Sequence, residues 1–166
     1  MNRGTVRPVK AEDIDKLVDI YNYYIVNSSF TFAETQIDSN YFYQLIDKVK
    51  AIDSVFLVLE YESHIRGFAY AGPWRERSAY RYSLESSIYL DHQYLGQGLG
   101  LPLYQALIDA LRTDTPFRLL IAGITLPNPV SVSFHEKLGF SKVAHFHEVG
   151  YKFREWLDVG YWSLKL

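Results

Sequence analysis

The sequence predicts an α/β (α+β) domain built as a mixed sheet flanked by helices. Three observations carry that expectation. Strand-like and helix-like periodicities interleave along the 166 residues. No Pro/Gly/Ser-rich linker interrupts them, and no internal repeat is visible. Hydrophobic residues make up 48% and charged residues 22%, which is a globular composition and not a disordered one. This length suits one domain over residues 1–166 with its own core.

The elements follow in order. "TVRPV" reads as a short first strand. Residues 11–26 then set Ile14, Leu17, Val18, Tyr21, Tyr24 and Ile25 at helical spacing. Glu12 and Asp13 suit the positive end of that helix dipole. A second helix starts near Ser39, with Phe42, Leu45, Ile46 and Val49 on one face. "SVFLVLE" and "IRGFAYAG" are two strands around the turn Tyr61–Glu62–Ser63. "AYRYSLESSIYLD" is a longer strand, and the glycine-rich "HQYLGQGLG" follows it. The next helix turns Leu103, Leu107 and Leu111 inward. Pro102 lies in its first turn, where a missing N–H does no harm. "RLLIAGIT" is a strand. Asn128 and Pro129 form an N-cap and first-turn signature for "VSVSFHEKL", which Gly139 ends. Residues 140–166 carry two more strands. The order is β-α-α-β-β-β-α-β-α-β-β.

Composition removes several function classes. A net charge of −2 leaves no broad basic field for nucleic acid or an anionic membrane. The absence of cysteine excludes disulfides, thiolate catalysis and cysteine-bound zinc. The N-terminus lacks a signal-peptide apolar region, and no apolar stretch is long enough to cross a bilayer. A cytoplasmic protein is expected. Aromatic residues, at 16% with 14 tyrosines, supply core and pocket walls.

The stretch "HQYLGQGLG" carries the chemistry. Alternating glycines weaken helix and strand alike, so they serve close approach of a ligand to bare backbone N–H groups. A P-loop needs Lys-Ser/Thr after its last glycine, but Leu101 and Pro102 stand there. The dinucleotide fingerprint needs a sixth-position glycine where Leu101 stands, and no acidic residue lies about 20 positions on at a strand end. The pattern Q/R-x-x-G-x-G/A fits: Gln93, Tyr94, Leu95, Gly96, Gln97, Gly98. Placed between a strand and a helix, it resembles the acyl-CoA pyrophosphate loop of the GCN5-related N-acetyltransferase (GNAT) superfamily. A plain glycine-rich turn before a helix is the alternative reading.

The resemblance extends further. "GFAYAGPWRERSAYRYSLESSIYLDH", "LPNPVSVSFHEKLGF" and "REWLDVGYWSLKL" are similar to phosphinothricin acetyltransferases, from "VRPVKAEDI" to the C-terminus. It implies a GNAT fold with a central, mixed, mostly antiparallel sheet. It implies acetyl-CoA as co-substrate, no metal, and an α-amino acceptor of the phosphinothricin, methionine sulfone or methionine sulfoximine type. A homodimer is expected from the family.

Site residues follow from the same resemblance. Glu85 matches the general base; a carboxylate in an apolar strand has a raised pKa suited to deprotonating an amine. The bland alternative is a solvent-face glutamate on an edge strand. A bulge near Ser86–Ser87 is expected to re-aim that strand. Backbone groups of Ile88, Tyr89 and Leu90 then meet the pantetheine arm. Gln93, Tyr94, Leu95, Gly96, Gln97, Gly98, Leu99 and Gly100 hold the pyrophosphate. His135 stands where many members carry a tyrosine. It is either the acid that protonates the departing thiolate, or a cofactor-contacting or packing residue. Asn128 contacts the cofactor arm or simply caps its helix, and Ser133 and Ser131 add polar contacts. Arg75 and Arg77, flanking Trp74, form an anion clamp or a solvated loop. Phe32 and Tyr82 line the acceptor pocket. His145 and His147 face one side of a strand, but a metal site needs further ligands that the sequence does not single out, so they are read as surface residues. The rival readings are another amine acceptor (a protein N-terminus, a polyamine, an antibiotic) and a non-catalytic acyl-CoA-binding domain.

Overall fold

The computed structural model describes residues 4–113 and 115–166. The described elements are β1 (Thr5–Pro8), α1 (Ile14–Asn27), α2 (Ser39–Lys50), β2 (Phe56–Tyr61), β3 (His64–Pro73), β4 (Ser83–Leu90), α3 (Gly100–Arg112), β5 (Leu119–Leu126), α4 (Pro129–Lys137), β6 (Ser141–Lys152) and β7 (Glu155–Lys165). This is the order expected from periodicity. The strands form one seven-stranded sheet in the order β1-β2-β3-β4-β5-β7-β6. Every pairing is antiparallel except β4 with β5.

Period-two alternation divides the core between the two faces. On one face Leu57, Leu59, Ala69, Leu84, Leu120 and Trp162 pack with Leu103, Leu107 and Leu111 of α3. On the other, Val58 and Phe68 pack with Ile14 and Leu17 of α1 and with Phe42 and Ile46 of α2. Leu107 is fully buried. Leu107→Ala should therefore lower unfolding stability by about 2–5 kcal/mol, because it removes apolar contact and leaves a cavity. Denaturant titration checks this; an unchanged midpoint would mean that α3 docks loosely.

The centre of the sheet forks. β4 and β5 pair only over Ser83↔Leu119, Leu84↔Leu120 and Glu85↔Ile121. β5 then continues against β7 as far as Leu126↔Asp158, while β4 continues against β3 as far as Gly67↔Leu90. Among the described residues, the β5-facing edge of β4 beyond Glu85 has no strand partner. The expected bulge at Ser86–Ser87 is absent, since the β3–β4 register runs unbroken from Pro73↔Leu84 to Gly67↔Leu90. A side chain marks the fork instead. Buried Ser86 donates its hydroxyl to the Ile121 carbonyl at 3.1 Å and accepts from the buried Tyr104 hydroxyl at 2.6 Å.

Candidate active site

Glu85 lies at the fork. Unbroken alternation places it with Ser87 and Tyr89 on the α1/α2 face, opposite Leu84, Ser86, Ile88 and Leu90. Gly123 of β5 makes room for it. A Cβ there would come 3.3 Å from Glu85 Oε1 and 3.0 Å from the Tyr161 ring. Gly123 is exposed although it lies in an inner strand, so this face opens into a solvent-reached hollow. Burial raises the Glu85 pKa above the ordinary carboxylate value, and the positive charge of Arg75 pulls it partly back. Burial also raises the pKa of Tyr161, with the Glu85 charge adding to the rise and Arg75 opposing it.

Arg75 reaches this hollow from the loop after β3. Its guanidinium lies 4.0 Å above the Trp74 ring and donates to the Trp74 carbonyl at 3.1 Å. Trp74 meets Tyr161 edge-on at 5.4 Å. Glu85, Trp74, Arg75 and Tyr161 thus form one cluster. Arg77 is exposed at the start of a short 3-10 turn, Ser78–Tyr80. Tyr82 carries the Arg81 guanidinium 4.5 Å over its ring. Its carbonyl accepts from the N–H groups of Arg118 and Leu119, which splices the start of β4 to β5.

The loop before α2 closes another side. Phe32 leans on Gly150 of β6, where a Cβ would come 2.2 Å from its ring. Buried Lys152 donates to the carbonyls of Ser28 and Thr31 at 2.9 and 2.8 Å. The Tyr21 and Thr31 hydroxyls hydrogen-bond at 2.8 Å. Burial lowers the Lys152 pKa, and Glu34 opposes that shift.

Beyond β4, Asp91 accepts from the Gln93 N–H and opens a 3-10 turn, His92–Tyr94. Tyr94 is stacked 4.0 Å beneath the Arg66 guanidinium. Gly96 and Gly98 both adopt φ +76°, a left-handed conformation that favours glycine. A Cβ at either position would meet no protein atom within 4 Å. Leu95 and Gln97 are exposed, whereas Leu99 and Gly100 are buried and anchor the loop. No side chain caps the N-terminus of α3. Its first N–H groups and the positive end of its dipole are therefore left for an anion. The side chains of Ile88 and Leu90 pack against the α3 core, so only their backbone faces the gap. Tyr89 likewise turns its ring to Tyr21, at 5.0 Å. A cleft of about 450 Å³, lined by Lys16, Arg66, Asp91, His92 and Gln93 among others, adjoins the start of this loop at the far end of β4 from Glu85.

Asn128 caps α4 by accepting the Ser131 N–H at 3.1 Å, which leaves its amide NH₂ to donate. Ser133 is exposed. His135 is only 5% exposed and donates its Nδ1 proton to the Ser131 carbonyl at 2.8 Å. Tyr104, Phe134 and Phe140 surround its ring. Burial lowers its pKa against the opposing pull of the Ser131 carbonyl. Burial thus disfavours the charged ring, and the Nδ1 proton is engaged by the Ser131 carbonyl.

Fold and site together define an acyltransferase. The chain belongs to the acetyltransferase (GNAT) domain family, whose signature matches residues 6–160. It is 37% identical to a phosphinothricin N-acetyltransferase of Streptomyces viridochromogenes over 161 residues, covering 95% of this chain and 85% of that one. A crystal structure of a GNAT superfamily phosphinothricin acetyltransferase from Sinorhizobium meliloti, in complex with AcCoA, superimposes with a TM-score of 0.94. It is 30% identical, with 99% of this chain and 89% of that chain covered. A ribosomal-protein-alanine N-acetyltransferase from Brucella melitensis gives the same TM-score, 0.94, at 31% identity, with 98% and 99% covered. Overall shape therefore does not select the acceptor.

Tyr161, Gly123 and Lys152 are not singled out by the sequence, and Ser86 is singled out only as part of an expected bulge. Cross-strand register places Tyr161 opposite Gly123, while Ser86 and Lys152 are defined by contacts with α3 and with the loop after α1.

Proposed function

We propose that the protein transfers the acetyl group of acetyl-CoA to the α-amino group of a small amino acid or analogue, of the phosphinothricin, methionine sulfone or methionine sulfoximine type. The observation that carries this is the desolvated Glu85 carboxylate at the fork, facing Arg75 across the Trp74–Tyr161 cluster. A base and an anion clamp in one hollow suit an acceptor bearing both an amine and an acidic group.

Residues Gln93 to Gly100 and the uncapped start of α3 hold the pyrophosphate. The pantetheine arm lies in the β4–β5 gap against the backbone of Ile88, Tyr89 and Leu90, and Asn128 and Ser133 meet it from α4. A backbone N–H of β4 polarises the thioester oxygen. The neutral amine attacks the thioester carbonyl, its proton passes to Glu85 directly or through water, the N–C bond forms and the C–S bond breaks. The thiolate is a fair leaving group and takes its proton from solvent. We assign His135 to packing at the cofactor wall, because burial disfavours the charged ring that an acid requires. Arg75, with Arg77, grips the acceptor's carboxylate or phosphinate. Phe32, Trp74 and Tyr82 bound the pocket. The transfer itself uses no metal and takes place in the cytoplasm. A homodimer is part of this proposal, and the β6–β7 hairpin, where Val143, Phe146, Val149, Tyr151, Phe153 and Trp156 are each exposed, is where a second copy would dock.

Acetyl-CoA-dependent thiol release with a panel of amines tests the reading. Saturable turnover confined to small amino acids and analogues supports it. Turnover only with N-terminal peptides or polyamines replaces the acceptor, and acetyl-CoA binding without any turnover replaces the enzyme with a sensor. Arg75→Ala should raise KM for the acceptor about 10–100-fold, the worth of a charge-assisted hydrogen bond. KM for acetyl-CoA should stay unchanged; equal loss in both would place Arg75 elsewhere in the reaction.

A further inference from the structure

The β6–β7 hairpin carries a side-chain cluster that acetyl transfer does not use. His145 and His147 turn to one side of β6, and Asp158 reaches them from β7. His145 Nε2 and His147 Nδ1 donate to the same Asp158 oxygen, Oδ2, at 2.7 and 2.8 Å. The two rings are 4.4 Å apart, centroid to centroid. The β6–β7 register shifts between Phe146 and Gly150, and Glu148 takes φ 50° within that shift. Its N–H is thereby aimed at Asp158 Oδ1, at 2.8 Å. One carboxylate oxygen is fixed by backbone, and the other is presented to two imidazoles.

We propose that His145 Nε2, His147 Nδ1 and Asp158 Oδ2 form a three-ligand site for a divalent transition-metal ion of the zinc, cobalt or nickel type. Two imidazole nitrogens and one carboxylate suit such borderline ions, whereas calcium and magnesium require mostly oxygen ligands. Candidate ligand atoms of the three residues lie within 4.8 Å of one another. Bonds of about 2.0–2.1 Å in a tetrahedral site set ligands about 3.3 Å apart. The observed 2.7 and 2.8 Å contacts thus need to open by about half an ångström, and the two imidazole nitrogens, within 4.8 Å of each other, to draw together by up to about 1.5 Å. His147 is 80% exposed and free to make that adjustment. The Glu148 N–H plays the part of an outer partner that orients the carboxylate ligand.

Protons balance as follows. Lys142 Nζ lies 3.0 Å from His145 Nδ1 and donates to it, so the Nε2 proton lies toward Asp158. On metal binding, His145 moves its proton to Nδ1 and the exposed Lys142 swings into solvent. His147 gives up its Nδ1 proton and carries one on the outward Nε2. The fourth coordination position opens to water. Phe146 turns the other way and meets Tyr161 edge-on at 5.9 Å, so the cluster lies on the sheet face opposite Glu85. A bound ion there would tie β6 to β7 across the register shift.

Tag-free, metal-stripped full-length protein should be titrated with Co²⁺ and then with competing Zn²⁺, following the visible absorption of tetrahedral cobalt. One ion per chain is expected, with a thermal transition that rises on adding Zn²⁺. His147→Ala and Asp158→Asn should each weaken binding at least about tenfold. His147→Ala should keep wild-type acetyl transfer at saturating substrate, because its exposed side chain supports neither the core nor the reaction. No saturable cobalt spectrum overturns the proposal. Binding that persists unchanged in correctly folded His147→Ala also overturns it, and leaves Asp158 as an acceptor for two imidazoles.

Discussion

Glu85→Gln should lower kcat for acetyl transfer by about 10²–10⁴-fold, the usual contribution of a positioned base. Acetyl-CoA binding should be preserved, because the Gln93–Gly100 loop lies at the other end of β4. In the wild-type enzyme, kcat/KM should rise with pH through the raised Glu85 pKa, so the acid limb falls above the ordinary carboxylate range. Arg75 pulls that pKa down, so Arg75→Ala should move the limb to still higher pH. In Glu85→Gln the limb should vanish and leave only the ionisation of the amine. The variant also carries a stability signature of fixed sign. A carboxyl whose folded pKa is raised contributes its full stability below the unfolded pKa and loses it as pH rises through the folded value. Glu85→Gln should therefore melt higher than wild type above neutral pH, with the difference closing in acid. Rate profiles and melting curves across pH check both statements. A variant with wild-type kcat would remove Glu85 from the chemistry.

Gly98→Val should raise KM for acetyl-CoA by about two orders of magnitude, while the chain stays folded. Two effects combine. A β-branched residue at φ +76° adds about 1–3 kcal/mol of backbone strain. A Cβ there meets no protein atom within 4 Å, so the side chain projects into the open space of the loop and not into the core. That space is the one a pyrophosphate needs if it is to touch bare N–H groups. Kinetics at varied acetyl-CoA, alongside circular dichroism, make the check. An unchanged KM would show that the loop is only a turn.

Much of this was legible in the sequence. The apolar periodicities of α1, α2 and α3 gave both core faces, because burial acts on each element separately. Glu85, Arg75 and the glycine loop were visible as local motifs. The fork was misread as a bulge. A bulge and a strand divergence both open the same gap, and only the register of β4 against two neighbours tells them apart. The sequence suggests Ser86 only as part of a bulge; its part in holding the fork depends on Tyr104, 18 residues away. For His135 the sequence leaves acid chemistry and packing both open; its burial and its contact with the Ser131 carbonyl one helical turn earlier come only from the fold. Asp158 was invisible as a partner of His145 and His147 for the same reason: contacts across strands leave no pattern within one strand.

The divergence of β4 from β5 has one more consequence. A strand that parts from its neighbour turns backbone groups toward the opening between them. A pantetheine arm lying in that opening is also the missing rung of the scaffold. On the proposed function, acetyl-CoA binding should then also stiffen the junction of β4 and β5, raising the thermal transition as well as starting turnover.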